Sequence, residues 1–140
     1  MDHDHEIPVK SGSIELSDLG HFLPGLADII PLVGDRIWKC YYAGKNGNAA
    51  LARFQLKEAV VLMEKGAILR PKYAGDLEKF ISDSVAKVRQ CIEDADWDGF
   101  ESAFAAMVEQ ANANHEQYDK GFLRWKVPEE PPPDLDMRPL

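Results

Sequence analysis

The segment with the most chemical content is Ala111-Asn112-Ala113-Asn114-His115, followed by Tyr118, Gly121 and Phe122. A lone imidazole can ligate a metal or haem iron, move a proton, or be satisfied by hydrogen bonds at a helix end. Bundle di-metal sites need inward Glu residues and Glu-x-x-His pairs. Here Asn112 stands three before His115 and Asp18 three before His21, so no such pair exists and no metal ligand set is assigned. Met1-Asp2-His3 fits the amino-terminal Cu(II)/Ni(II) pattern, in which the α-amine, two amide nitrogens and an imidazole make a square plane. A polar arm with incidental histidines has the same sequence. Cys40 and Cys91 fall on apolar helical stripes, where a buried thiol packs as a small hydrophobe and has its pKa raised. No nucleophile elbow, phosphate loop or dinucleotide fingerprint occurs. Glu93, Asp94, Asp96 and Asp98 cluster at a turn where carboxylates favour a helix N-terminus, and their spacing fails the EF-hand pattern. No catalytic residue is assigned, and the chain reads as a non-enzyme.

These residues must be positioned by helices. Leu26, Ile29/Ile30, Val33, Ile37 and Cys40/Tyr41 recur at helical spacing and predict a helix over residues 23–44, with Pro24 in its first turn and Pro31 kinking or restarting it. Residues 44–48 supply a glycine stop and an Asn N-cap. A second helix follows over 49–68, a third over 73–94, and a fourth from an Asp96 cap to Gly121, carrying Phe100, Phe104, Met107/Val108, Ala111 and His115 on one stripe. Four such helices with short loops predict an all-α, antiparallel up-down-up-down four-helix bundle over 18–122. Residues 1–17 are polar and predict a disordered arm; 123–140, holding five of the nine prolines, predict an extended tail, with Phe122, Leu123, Trp125 and Val127 able to tie it across the bundle.

The chain has 140 residues, enough for one core, and a net charge of −8. That balance excludes activities built on phosphate neutralisation, so nucleic acid is not an expected partner. The two cysteines make no disulfide framework, and no apolar run is long enough for a membrane span. With Met1 as the natural start, the lack of a basic, apolar leader predicts a cytoplasmic protein.

The setting of His115, after a fourth amphipathic helix and before a proline-rich tail, resembles the haem-attachment region of cytochrome c′-type bundle proteins. The stretch WKCYYAGKNGNAALARFQLKEA at the first hairpin looks like the corresponding region of small cytochrome-like proteins with a CNxCH motif. In those relatives two cysteines precede the iron-ligating histidine; here Ala111 and Asn114 take the cysteine positions and His115 keeps the ligand position. Without thiols at 111 and 114 no thioether to haem can form. The resemblance therefore implies a haem-free relative without cofactor, acting as an accessory or protein-interaction module, with a protein partner or a second copy of itself through the first two helices. Its alternative is a small-ligand or non-covalent haem b binder using a vacated pocket lined by Phe104, Met107, Ala111, Asn114 and His115.

Overall fold

The structure is a computed structural model that describes residues 5–140, so the Met1-Asp2-His3 pattern lies outside the described residues. The chain is mostly helical, as the periodicity predicts. Its N-terminal part departs from the expected disordered arm: β1 (Glu6–Val9) pairs antiparallel with β2 (Gly12–Glu15), placing Ile7 opposite Ile14. Ile7, Val9 and Ile14 are β-branched residues that suit a pleated ladder, and a two-residue loop at Lys10 and Ser11 closes it. A 3-10 turn (Leu16–Asp18) and the short α1 (Leu19–Phe22) lead to the first long helix.

That helix, α2 (Leu26–Lys45), starts three residues later than the spacing predicts. Leu23 precedes Pro24 and is extended (φ −67°, ψ 138°), because the proline ring disfavours the helical region for the residue before it. The Asp28 carboxylate accepts from the Gly25 N–H at 3.3 Å and caps the new start. The helix continues unbroken through Pro31, whose missing N–H leaves only one carbonyl of the first turns without its partner. Gly47, at φ +68°, makes the stop that only a left-handed residue allows, and Asn48 caps α3 (Ala49–Leu69) by accepting from the Leu51 N–H at 3.1 Å.

Pro71 then separates α3 from α4 (Ala74–Phe80), a π turn (Ile81–Val85) and α5 (Ala86–Glu93). The π turn has a packing reason. The buried positions here are Phe80, Val85, Val88 and Ile92, and the five-residue step from Phe80 to Val85 stays inward only if one turn is widened. Asp96 accepts from the Gly99 N–H at 2.9 Å and caps α6 (Trp97–Gln117).

One core joins these helices. Val33, Ile37 and Cys40 of α2 meet Ala52, Leu56 and Met63 of α3, Val85 and Val88 of the π turn and α5, and Phe100, Phe104 and Met107 of α6. Fully buried side chains such as Ile37, Leu56 and Phe104 each contribute about 1.5–3 kcal/mol by leaving water. Gln55 is buried between α2 and α3, where its Oε1 accepts from Arg36 Nη1 at 3.1 Å. At Gly44 an added Cβ would lie 2.5 Å from the Phe100 ring, so the absence of a side chain sets how closely α2 and α6 approach. No single helix among the described residues is long and apolar enough to cross a membrane.

After α6 the chain is irregular but anchored. Asn112 clamps Trp125 on both sides: Trp125 N–H donates to Oδ1 at 2.6 Å, and Nδ2 donates to Trp125 O at 2.9 Å. Tyr42 OH donates to the Pro128 carbonyl, and Asn48 Nδ2 to the Arg138 carbonyl at 3.2 Å. Met137 is buried. Lys39, itself buried, ion-pairs with Asp134 at 2.8 Å and Asp35 at 3.0 Å. The Asp134 carboxylate raises the Lys39 pKa against the opposing effect of burial, and the ammonium in turn lowers that of Asp134.

Candidate functional site

Helix α6 places Ala111, Asn114 and His115 on the wall of a cleft of about 760 Å³. The opposite wall is α2, with Leu26, Ile30, Gly34 and Trp38; Met63 of α3 and Leu77 and Phe80 of α4 close its inner side. The outer wall is the segment after α6, through Phe122, Leu123 and Trp125. The cleft thus depends on contributions from every long helix plus a segment of irregular chain.

The outer wall is held by α6 itself. His115 Nδ1 lies 2.5 Å from the Leu123 carbonyl oxygen. A carbonyl only accepts, so in the neutral ring Nδ1 carries the proton and Nε2 keeps its lone pair. The imidazole is half-buried and meets the Trp125 ring edge-on at 6.1 Å between centroids, and Trp125 packs on Trp38 at 5.3 Å. Three residues before His115, Asn112 holds Trp125 by its backbone. Asn112 and His115 face the same segment because positions three apart share one face of a helix.

A polar group borders the apolar lining. Tyr118 OH donates to Asp76 of α4, and Gln117 Nε2 donates to the same carboxylate oxygen at 3.3 Å. This hydrogen bond, ahead of burial, raises the Tyr118 pKa. Tyr73 meets Tyr118 edge-on at 4.7 Å, and Lys72 Nζ lies over both rings, 5.5 and 5.8 Å from their centroids.

Of the five residues expected to line a pocket, the structure brings together Ala111, Asn114 and His115. Met107 and Phe104, one and two turns earlier on α6, belong instead to the closed core. Phe104 packs against Tyr41 at 4.8 Å and Trp38 at 6.3 Å. Ala113 points to solvent. Trp125 belongs to the segment whose partial alternation suggests that it ties the tail across the bundle, and Asn112 shares the His115 face of α6; Trp38 and Asp76 join the site from α2 and α4, distant in sequence, and no local spacing marks them for it.

The residues fit one part of the implied haem chemistry and not another. Ala111 and Asn114 offer no thiol for a covalent bond, whereas the apolar cleft and the Nε2 lone pair of His115 suit a flat ligand held without one. The thiols present elsewhere are poorly placed for attack. Cys40 is fully buried and burial pushes its thiol up to about 12; Cys91 is raised by burial and by Asp96 and Asp94. Compared with known proteins, the chain matches no family model, no curated protein and no solved structure.

Proposed function

We propose that this chain is a non-catalytic binding module for a small, largely apolar molecule, on a haem-free four-helix bundle of the cytochrome c′-like kind. The observation that carries the reading is the cleft of about 760 Å³ beside His115, mostly apolar on its helical walls and within the size range of small-molecule sites. An accessory role through the proline-rich tail has less support, because Pro128, Asp134 and Arg138 are engaged by the chain's own Tyr42, Lys39 and Asn48.

The test is a fluorescence titration with N-phenyl-1-naphthylamine, a neutral apolar dye. The expected result is one-to-one enhancement that disappears in Ala111→Trp, whose indole fills the cleft, while helical circular dichroism is retained. Absence of enhancement, or enhancement unchanged in Ala111→Trp, refutes the reading.

A haem version of the same reading is favoured by one observation, the Nδ1–Leu123 contact that leaves His115 Nε2 as a free donor atom. Haemin titration is then expected to give a Soret shift that is lost in His115→Ala. A spectrum identical to free haemin removes this version alone.

A further inference from the structure

The charge around the cleft runs against that of the chain. The protein carries −8 overall, yet the ionised side chains lining the cleft are Lys120 and Arg124 against a single acid, Asp76. That acid is already occupied, since it accepts from both Tyr118 OH and Gln117 Nε2. Among the described residues neither Lys120 nor Arg124 forms an ion pair, and the only close partner of Lys120 Nζ is the Phe122 ring, 6.0 Å away at its centroid. Lys72, over the Tyr73 and Tyr118 rings, adds a third positive charge near that rim. The cations are exposed, whereas Trp38, Leu77 and Ala111 beneath them are buried or half-buried and apolar. An apolar floor under a cationic rim is complementary to a molecule with an apolar body and one anionic end.

We propose that the His115 cleft takes an amphipathic carboxylate, its apolar body lying between α2 and α6 and its carboxylate between Lys120 and Arg124. The inference rests on the binding-module reading and narrows it to a ligand class. Both cations belong to the segment that forms the outer wall, so the anion is bound by the element that encloses the apolar body. Arg124 can offer a bidentate fork to the carboxylate, and Lys120 a point charge.

A blue shift of the Trp38 and Trp125 emission, as an apolar chain displaces water from the indoles, reports occupancy in the full-length protein, since both indoles line the cleft. Dodecanoate, 1-dodecanol and dodecylammonium, titrated below their aggregation thresholds, hold the apolar body constant and vary the head. Dodecanoate is expected to bind about tenfold more tightly than the alcohol, as exposed charge-assisted hydrogen bonds allow, and dodecylammonium more weakly than either. In Lys120→Gln/Arg124→Gln, with circular dichroism unchanged, the acid-to-alcohol ratio is expected to fall to near parity. Equal binding of acid and alcohol to the native protein, or a preference that survives in the double variant, overturns the carboxylate assignment and leaves the binding-module reading standing. Failure of all three probes to bind overturns both.

Discussion

Replacing Asn112 with alanine tests whether the outer wall of the cleft is held by α6. Two hydrogen bonds, at 2.6 and 2.9 Å, join its side chain to the Trp125 backbone, and both partners are partly buried. Each is worth about 0.5–1.5 kcal/mol, more if the Trp125 amide and carbonyl are left without partners. The expected loss is therefore about 1–3 kcal/mol, a factor of about 5–150 in the equilibrium that keeps residues 122–125 docked. Gln90→Ala is the control, because Gln90 lies outside the cleft and its side chain donates only to the exposed Asp94 carboxylate, at 3.0 and 3.1 Å, and its loss should stay within about 0.5 kcal/mol. Urea unfolding followed by circular dichroism measures the stability. Titration with the neutral naphthylamine dye measures the wall, and Asn112→Ala is expected to weaken dye binding as well. If Asn112→Ala matches Gln90→Ala in both measurements, the clamp does not hold the wall and the account of the cleft fails.

Gly44→Ala should destabilise the protein by about 1–3 kcal/mol through overpacking, since its methyl would meet the Phe100 ring at 2.5 Å; an unchanged urea midpoint would show that α2 and α6 yield there. The tail anchor at Asp134 should be lost in acid. Its pKa is lowered by Lys39, so its stabilisation is present above the ordinary aspartate value of about 3.9 and disappears as pH falls through the lower folded value. Lys39 is shifted upward, so the same pair also weakens in strong alkali, as pH rises past the ordinary lysine value of about 10.4. Limited proteolysis of residues 128–140 should therefore be slow at neutral pH and accelerate progressively as pH falls below about 4, and Asp134→Asn should show the fast rate at neutral pH; pH-independent cleavage would count against the anchor. Cys40, whose thiol is pushed up to about 12 by burial, should resist alkylation until urea unfolds the chain, and rapid labelling of the native protein would contradict its place in the core.

Local signals in the sequence accounted for the long helices. Asn48 and Asp96 mark two N-termini through side chains that accept from amides three residues on, which needs no tertiary partner. Val33, Ile37 and Cys40 lie inward as their spacing predicts, because helical period alone puts them on one face. Where neighbours compete, the spacing misled. Leu23 became extended under the influence of Pro24, and Phe80 and Val85 both turned inward at the expense of a regular helical turn. The hairpin of β1 and β2 was hidden by its brevity, three apolar residues among polar ones.

His115, Ala111 and Asn114 are singled out through the resemblance to a haem-attachment region, in which they take the ligand and the two cysteine positions, and the lack of thiols at 111 and 114 rules out thioether bonds there without any knowledge of the fold. The cleft could not be picked out in that way. Whether Phe104 borders a pocket or fills a core depends on where Trp38 and Tyr41 place their rings, and those residues lie more than sixty positions away along the chain. The wall at Leu123 and Trp125 exists because His115 and Asn112 meet backbone groups that carry no sequence identity. The cationic rim likewise depends on Asp76 of α4 being taken up by Tyr118 and Gln117 of the chain around the end of α6. Spacing along a helix determines which side chains share a face; what that face encloses is decided by the packing of distant segments against it.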